Sequence, residues 1–368
     1  MLYYHAKVFT PEGYISGGFR VEDGIFTEIL PGATEGDVDL GGAKVLPGLV
    51  DIHTHGAAGA DFSDGDPEGL RRMAAYLAAH GVTSFVPTSV TLPYETLRRA
   101  FQTAETLYSA RPEGCSRIAG IHMEGPFFSG KKKGSQNGAY LRAPDFKAFQ
   151  KLYESCGGLI RIVDVAPELP GAVAFTEQAS RFCTVSVAHT DAAYEQAAAV
   201  YAAEASHLTH LYNAMPPIHH REPGVIGAAS ERETVTAELI CDGIHVHPSA
   251  VRMAFRLFPG RICLISDSLR CCGMPDGEYE LGGQTVTLQD HVARLHDGTI
   301  AGSATNLYDC MLNAIRFGIP EADAIRAATI VPARAIGEDA RIGSIKAGKA
   351  ADFLVCDKDL QLEHVYTA

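Results

Sequence analysis

Six places along the chain put a metal-capable or proton-carrying side chain directly after a short apolar run: His53 with His55, then Glu124, His189, His210, His245 and Asp267. Imidazole nitrogens and carboxylate oxygens together form the donor set of a divalent cation such as Zn2+. Such a cation with an open position supplies a nucleophile near neutral pH and polarises a carbonyl. His53 and His55 are two residues apart, and side chains at i and i+2 of a strand face the same side, so both can reach one ion. Taken singly, each residue has an ordinary explanation. A lone histidine is more often hydrogen-bonded or exposed than a ligand, and Asp267 in Ser266-Asp267-Ser268 fits a helix cap. For every ordinary explanation to hold at once, six unrelated polar strand ends would be needed. Together they point to a metal centre.

These groups meet only if a fold collects the strand ends. The middle of the chain alternates apolar runs with helical patterns, the signature of βαβ units and a parallel sheet. The runs are 45–52, 83–87, 118–123, 160–165, 184–188, 205–208, 236–241 and 262–266. A closed barrel requires about eight strands, and their C-terminal ends converge on one mouth. Helical stretches lie at 67–80, 93–110, 144–153, 192–203 and 250–257; the first opens on Pro67 and spaces Leu70, Met73 and Leu77 along one face. The chain ends read differently. Segments 2–9, 18–21 and 25–30 are strand-like, with turn signals at Pro11-Glu12-Gly13 and Glu22-Asp23-Gly24, and 351–355 is a strand behind a glycine-bearing turn at 343–348. The expected architecture is α/β: a (β/α)8 TIM-like barrel over 47–335, with a small β-sandwich domain built from 1–46 and 336–368. Residues 274–300 read as an inserted hairpin region with turns at Gly282-Gly283 and Asp297-Gly298.

A length of 368 residues suits a barrel plus a satellite, and 46% hydrophobic with 20% charged residues suits a globular chain with a large core. The net charge of −13 argues against a nucleic-acid or anionic-membrane surface, though local donors can still hold one phosphate. The nine cysteines are odd in number and show no CxxC pair, which is the usage of reduced thiols in the cytoplasm. The opening residues lack the pattern of a signal peptide, and no apolar run approaches the ~20 residues of a membrane span. The chain is therefore expected to be cytoplasmic.

The run Pro47-Gly48-Leu49-Val50-Asp51-Ile52-His53-Thr54-His55 resembles the first-strand motif of the amidohydrolase superfamily. His122-Met123-Glu124-Gly125-Pro126-Phe127 narrows the resemblance to the N-acetylglucosamine-6-phosphate deacetylase family. The match continues through Ala188-His189-Thr190-Asp191, His210-Leu211-Tyr212-Asn213-Ala214-Met215, Arg221-Glu222-Pro223-Gly224, Asp242-Gly243-Ile244-His245 and Ala301-Gly302-Ser303. The fourth-strand end, Val165-Ala166-Pro167-Glu168, lacks the lysine that many relatives with a bridged metal pair place there.

The resemblance implies a role for each residue. Glu124, His189 and His210 would hold a principal cation, Zn2+ first and iron as the alternative. His53 and His55 would form a second site with Glu124 bridging and Asp267 as a further ligand, giving one or two ions per subunit. Asp267 would shuttle the proton, and His245 would polarise the acetamide carbonyl. Asn213 and the backbone N–H of Ala214 would bind the phosphate, joined by Arg221 from a neighbouring subunit, which implies a homodimer. Family members often carry a histidine after the lysine run 131–133; this chain has Gln136 there, expected to stand in as a substrate contact. His247 is expected to support His245, and Cys271 and Cys272 to be structural thiols. The implied reaction converts N-acetylglucosamine 6-phosphate to glucosamine 6-phosphate and acetate. The alternatives are a related amidohydrolase acting on N-acetylgalactosamine 6-phosphate or another N-acylated sugar, and a barrel scaffold without catalysis.

Overall fold

A computed structural model describes residues 1–368. Eight parallel strands curl into a nearly closed barrel: Leu49–Thr54, Val82–Ser89, Ile121–Met123 (with the short Arg117–Ile118 ahead of it), Ile160–Val165, Thr184–Val187, His207–Leu208, Thr236–Ile240 and Ile262–Ile265. The eighth meets the first where Asp267 N–H donates to His53 C=O at 2.9 Å and Ser266 Oγ donates to Asp51 Oδ2 at 2.6 Å. Parallel strands buried on both faces read as continuous apolar runs, which is why the spacing located them.

The expected run 45–52 is two strands. Lys44–Pro47 belongs to the satellite sheet and Leu49–Thr54 to the barrel. The break falls at Pro47-Gly48. Pro47 has no N–H to give to a ladder, and Gly48 packs so close that a Cβ there would sit 2.1 Å from Thr83 Oγ1.

The helix Pro67–Ala79 follows its sequence signals: Asp66 caps Glu68 N–H and Gly69 N–H, Pro67 opens the first turn, and Leu70, Met73 and Leu77 are buried. The helices Tyr94–Ala110, Phe146–Ser155, Tyr194–Ala202 and Pro248–Leu257 lie where the apolar spacing puts them. Ala172–Ala179, Gly224–Ser230 and Leu307–Arg316 are further helices that the periodicity did not single out. The first two are eight and seven residues long, too short to carry a clear 3.6-residue pattern.

The two chain ends share one seven-stranded sheet, ordered Leu362–Tyr366, Phe353–Cys356, Lys44–Pro47, Leu2–Thr10, Gly13–Glu22, Ile25–Pro31, with Val38–Asp39 also on Leu2–Thr10. The sheet folds over on itself. Ala351 N–H donates to Gly24 C=O and Phe26 N–H to Lys349 C=O, so the chain borders the far edge strand before it re-enters as Phe353–Cys356. Phe19, Phe26 and Phe353 lie in the fold, with ring centroids 5.0 to 6.1 Å apart. The inserted region is a separate four-stranded antiparallel sheet running from Gly277–Leu281 to Ile300–Ser303. It stands beside the barrel mouth, where Leu281 and Ile300 line the same cavity as Glu124. Cys271 and Cys272 are buried, as expected of structural thiols, and all nine cysteines are unpaired.

Candidate metal centre

Each ligand candidate rides on a barrel strand end. His53 and His55 close the first strand, Glu124 follows the third, His189 the fifth, His210 the sixth and Asp267 the eighth. The barrel brings them together, all buried. His189 Nε2 lies 3.1 Å and His210 Nε2 3.2 Å from Glu124 Oε1, and the two ring nitrogens are 3.1 Å apart. Beside them, His53 Nε2 and His55 Nε2 are 3.3 Å apart and lie 3.4 and 3.2 Å from Asp267 Oδ1. Glu124 joins the two groups: His53 Nε2 is 3.7 Å from Oε1 and His55 Nε2 3.5 Å from Oε2.

The donor chemistry fits a cation. His189 Nδ1 faces the Lys132 carbonyl at 2.9 Å and His55 Nδ1 the Thr88 carbonyl at 3.0 Å. A ring that donates from Nδ1 keeps a lone pair on Nε2. These lone pairs aim into a cluster whose ligand atoms all lie within 4.8 Å of one another. Lone pairs crowded in this way repel unless positive charge sits between them. Electrostatics agree. Burial alone would raise the Glu124 carboxyl, but the His189 and His210 rings set against it hold it well below the usual range. Burial would likewise raise Asp267, but His53 and His55 hold it down. Burial would depress the His55 and His210 rings, yet Asp267 and Glu124 lift both to about 9. The two carboxylates thus favour positive charge at these ring nitrogens, which a proton or a cation supplies.

The backbone is held out of its ordinary range at the same place. His189, His210 and Asp267 have φ of 43°, 30° and 49°, and Ala214 has 52°. A non-glycine residue there costs on the order of 1–3 kcal/mol, and such strain clusters where side-chain aim matters. Part of the restraint is visible: Glu168, at the fourth strand end, accepts from Thr190 Oγ1 at 2.5 Å and from Asp191 N–H at 2.7 Å, pinning the turn that carries His189.

The other site candidates separate. His245, Asn213, Ala214 and Gln136 line the mouth cavity of about 170 Å3 with the ligand cluster. His245 Nδ1 is 2.6 Å from Asp242 Oδ2. Asn213 Nδ2 donates to His210 C=O at 3.2 Å. Gln136 is buried and donates from Nε2 to Glu124 Oε2. Arg221 is exposed, pairs with His220 at 2.7 Å, and is absent from the cavity lining of its own chain. His247, expected to support His245, instead caps the helix Pro248–Leu257 through Ser249 N–H.

One layer of polar residues escaped the sequence reading. Glu238 accepts from His53 Nδ1 at 2.9 Å, from His207 Nε2 at 3.1 Å and from His210 N–H at 3.1 Å. Asp164 holds His122 Nε2 at 3.0 Å and Thr209 Oγ1 at 3.0 Å. All lie inside the barrel, beneath the ligand cluster, and Glu238 with His122 and His53 is itself a group of metal-capable donors. A signal existed: Asp51 and His122 each stand two residues before a ligand candidate, hence on its strand face, and Glu238 interrupts an apolar strand.

Comparison with known proteins agrees with this geometry. Residues 44–368 match the Amidohydrolase family. The N-acetylgalactosamine-6-phosphate deacetylase of Escherichia coli O157:H7 is 33% identical across 98% of this chain and 96% of its own. The N-acetylglucosamine-6-phosphate deacetylase of Bacillus subtilis (strain 168) is 38% identical across 86% of this chain and 82% of its own. Among solved structures, a Mycobacterium smegmatis N-acetyl-D-glucosamine-6-phosphate deacetylase mutant in complex with N-acetyl-D-glucosamine-6-phosphate superposes with a TM-score of 0.94 at 34% identity, covering 100% of this chain and 97% of that one. The chain therefore belongs to the amidohydrolase family, within its N-acetylglucosamine-6-phosphate deacetylase branch.

Proposed function

We propose that this protein hydrolyses the acetamide of N-acetylglucosamine 6-phosphate to glucosamine 6-phosphate and acetate. The convergence of His189 and His210 on one oxygen of Glu124 carries this reading. The M. smegmatis relative, of the same fold, is described in complex with that sugar phosphate. Glu124, His189 and His210 would hold a principal divalent cation, with zinc first and iron second. His53 and His55 beside Glu124, with Asp267 near them, would hold a second.

A divalent cation held there supplies Lewis acidity and brings the pKa of water toward ~7. Asp267, kept ionised by His53 and His55, accepts a proton as water adds to the acetamide carbonyl carbon. It returns that proton to the nitrogen as the C–N bond breaks. Asp242 orients the His245 ring through Nδ1, and in its doubly protonated form the ring donates to the oxyanion from Nε2. Asn213 and Ala214 N–H bind the phosphate. Arg221, exposed and outside the lining of its own cavity, completes the phosphate site of a second subunit, so the working form is a homodimer. The protein acts in the cytoplasm, on a small phosphorylated sugar.

The E. coli relative favours one second reading, the galactosamine epimer. Amine release from both epimers, each with and without the 6-phosphate, is the deciding assay. A higher kcat/KM for the glucosamine epimer is expected, with a large loss when the phosphate is removed. Equal turnover of the unphosphorylated sugar would remove the phosphate assignment.

A further inference from the structure

The loop after Glu124 reaches back over the cluster and supplies partners to two of its members. Lys132 C=O accepts from His189 Nδ1 at 2.9 Å, which keeps the Nε2 lone pair aimed into the donor cluster. Gln136 Oε1 accepts from Thr91 N–H at 2.7 Å. An amide oxygen fixed as acceptor fixes the other end as donor, and Gln136 Nε2 donates to Glu124 Oε2. His189 and His210 both approach the other oxygen, Oε1. Gln136 thereby decides which carboxylate oxygen is left for the histidine pair.

The same loop is otherwise tied by few groups. Ser135 Oγ donates to Ala301 C=O at 2.9 Å, and Gln284 Nε2 donates to Ser135 C=O at 2.6 Å, both on the inserted sheet. Lys131 pairs with Asp191 at 3.1 Å, but its side chain is 81% exposed, against 4% exposure for Gln136 five residues on. The loop therefore presents Lys131 outward and a buried amide inward, with Lys132 and Lys133 half-buried and Lys133 Nζ donating to Gly134 C=O and Gln136 C=O.

We propose that Gln136 is a positioning residue, and that the 129–137 loop is a working part of the cation site. It holds Glu124 and His189 in their binding geometry, so cation binding and loop order strengthen each other. Linkage makes the effect reciprocal: what raises cation affinity by ordering the loop is also what orders the loop when the cation binds. The inference rests on the reading of Glu124 and His189 as cation ligands. It assigns Gln136 to the carboxylate in addition to any contact with substrate.

The test uses the full chain, stripped with a chelator and titrated with Zn2+ against a chromophoric competitor. Gln136→Met keeps the side-chain length and removes both hydrogen bonds. Partners of metal ligands are typically worth about 10–100-fold in affinity, and a rise of that size in the Zn2+ dissociation constant is expected. Trypsin provides an independent readout in the wild-type chain, because its target is the lysine run 131–133. Zn2+ should slow cleavage there, and Gln136→Met should reduce that protection. Unchanged Zn2+ affinity in Gln136→Met, or equal cleavage of the wild-type run with and without Zn2+, would overturn the positioning role and leave the proposed reaction standing. Failure of the wild-type chain to bind Zn2+ or Fe2+ at all would overturn both.

Discussion

At the mouth of the barrel, a cavity of about 170 Å3 is lined by His55, Glu124, His189, His210 and Asp267, while a cavity of about 670 Å3 opens at the other end between the barrel and the terminal sheet. The larger one is lined by Phe9, Phe255, Ile262 and Val331, with arginines around them. Two of those arginines are already engaged: Arg252 donates to Phe317 C=O at 2.8 Å, and Arg326 to Pro11 C=O at 3.3 Å. The smaller cavity holds the convergent donors and the left-handed backbone of His189, His210 and Asp267. Chemistry is marked here by the convergence and restraint of donors, not by volume. Barrel enzymes in general carry their chemistry at the C-terminal strand ends and stability at the opposite face.

Experiments that break this contrast begin at the mouth. Stripping the cation should abolish turnover and leave the far-UV circular dichroism near native, because the main core of 69 buried residues closes without the ligand cluster. Collapse of the signal on chelation would make the centre structural. Asp267→Asn should lower kcat by roughly 10²–10⁴-fold, the usual worth of a general acid–base group, with the principal cation still measurable by elemental analysis. A variant that kept most of its kcat would remove Asp267 from the proton transfer. Glu238→Gln sharpens the comparison one layer deeper. It weakens the hold on His53 and on the His210 backbone, and cation affinity should drop about 10–100-fold. The smallest effect is expected at the far cavity. Arg256→Ala and Arg334→Ala should leave kcat/KM unchanged and shift stability by no more than about 0.5 kcal/mol, measured by urea denaturation. A large loss of activity from either would show that the two ends are coupled.

Much of the site was legible because each ligand candidate follows its own apolar strand. The residues around Glu124 and His210 announce both a strand end and a donor. Glu238 was not legible. It sits mid-strand, where a carboxylate reads as a fault in the apolar pattern until its partners His53 and His207 are seen. His247 was misread for a related reason: two residues from His245, it looks like part of the same group, but the local turn sends it to cap a helix. The strand 45–52 was read as one element because apolar runs do not show which sheet they join, and the switch at Pro47-Gly48 depends on how closely Thr83 packs.

The sequence alone determined the alternation of strands and helices, the strand-end placement of Glu124, His189, His210 and Asp267, and the family to which they belong. These are local or additive properties, set by spacing and by side-chain type. Only the tertiary structure decided that two imidazoles share one oxygen of Glu124, that Gln136 takes the other, and that Glu238 braces the cluster from below. Those facts depend on distances between residues 12 to 185 positions apart, which are fixed when the barrel closes and its loops pack over it.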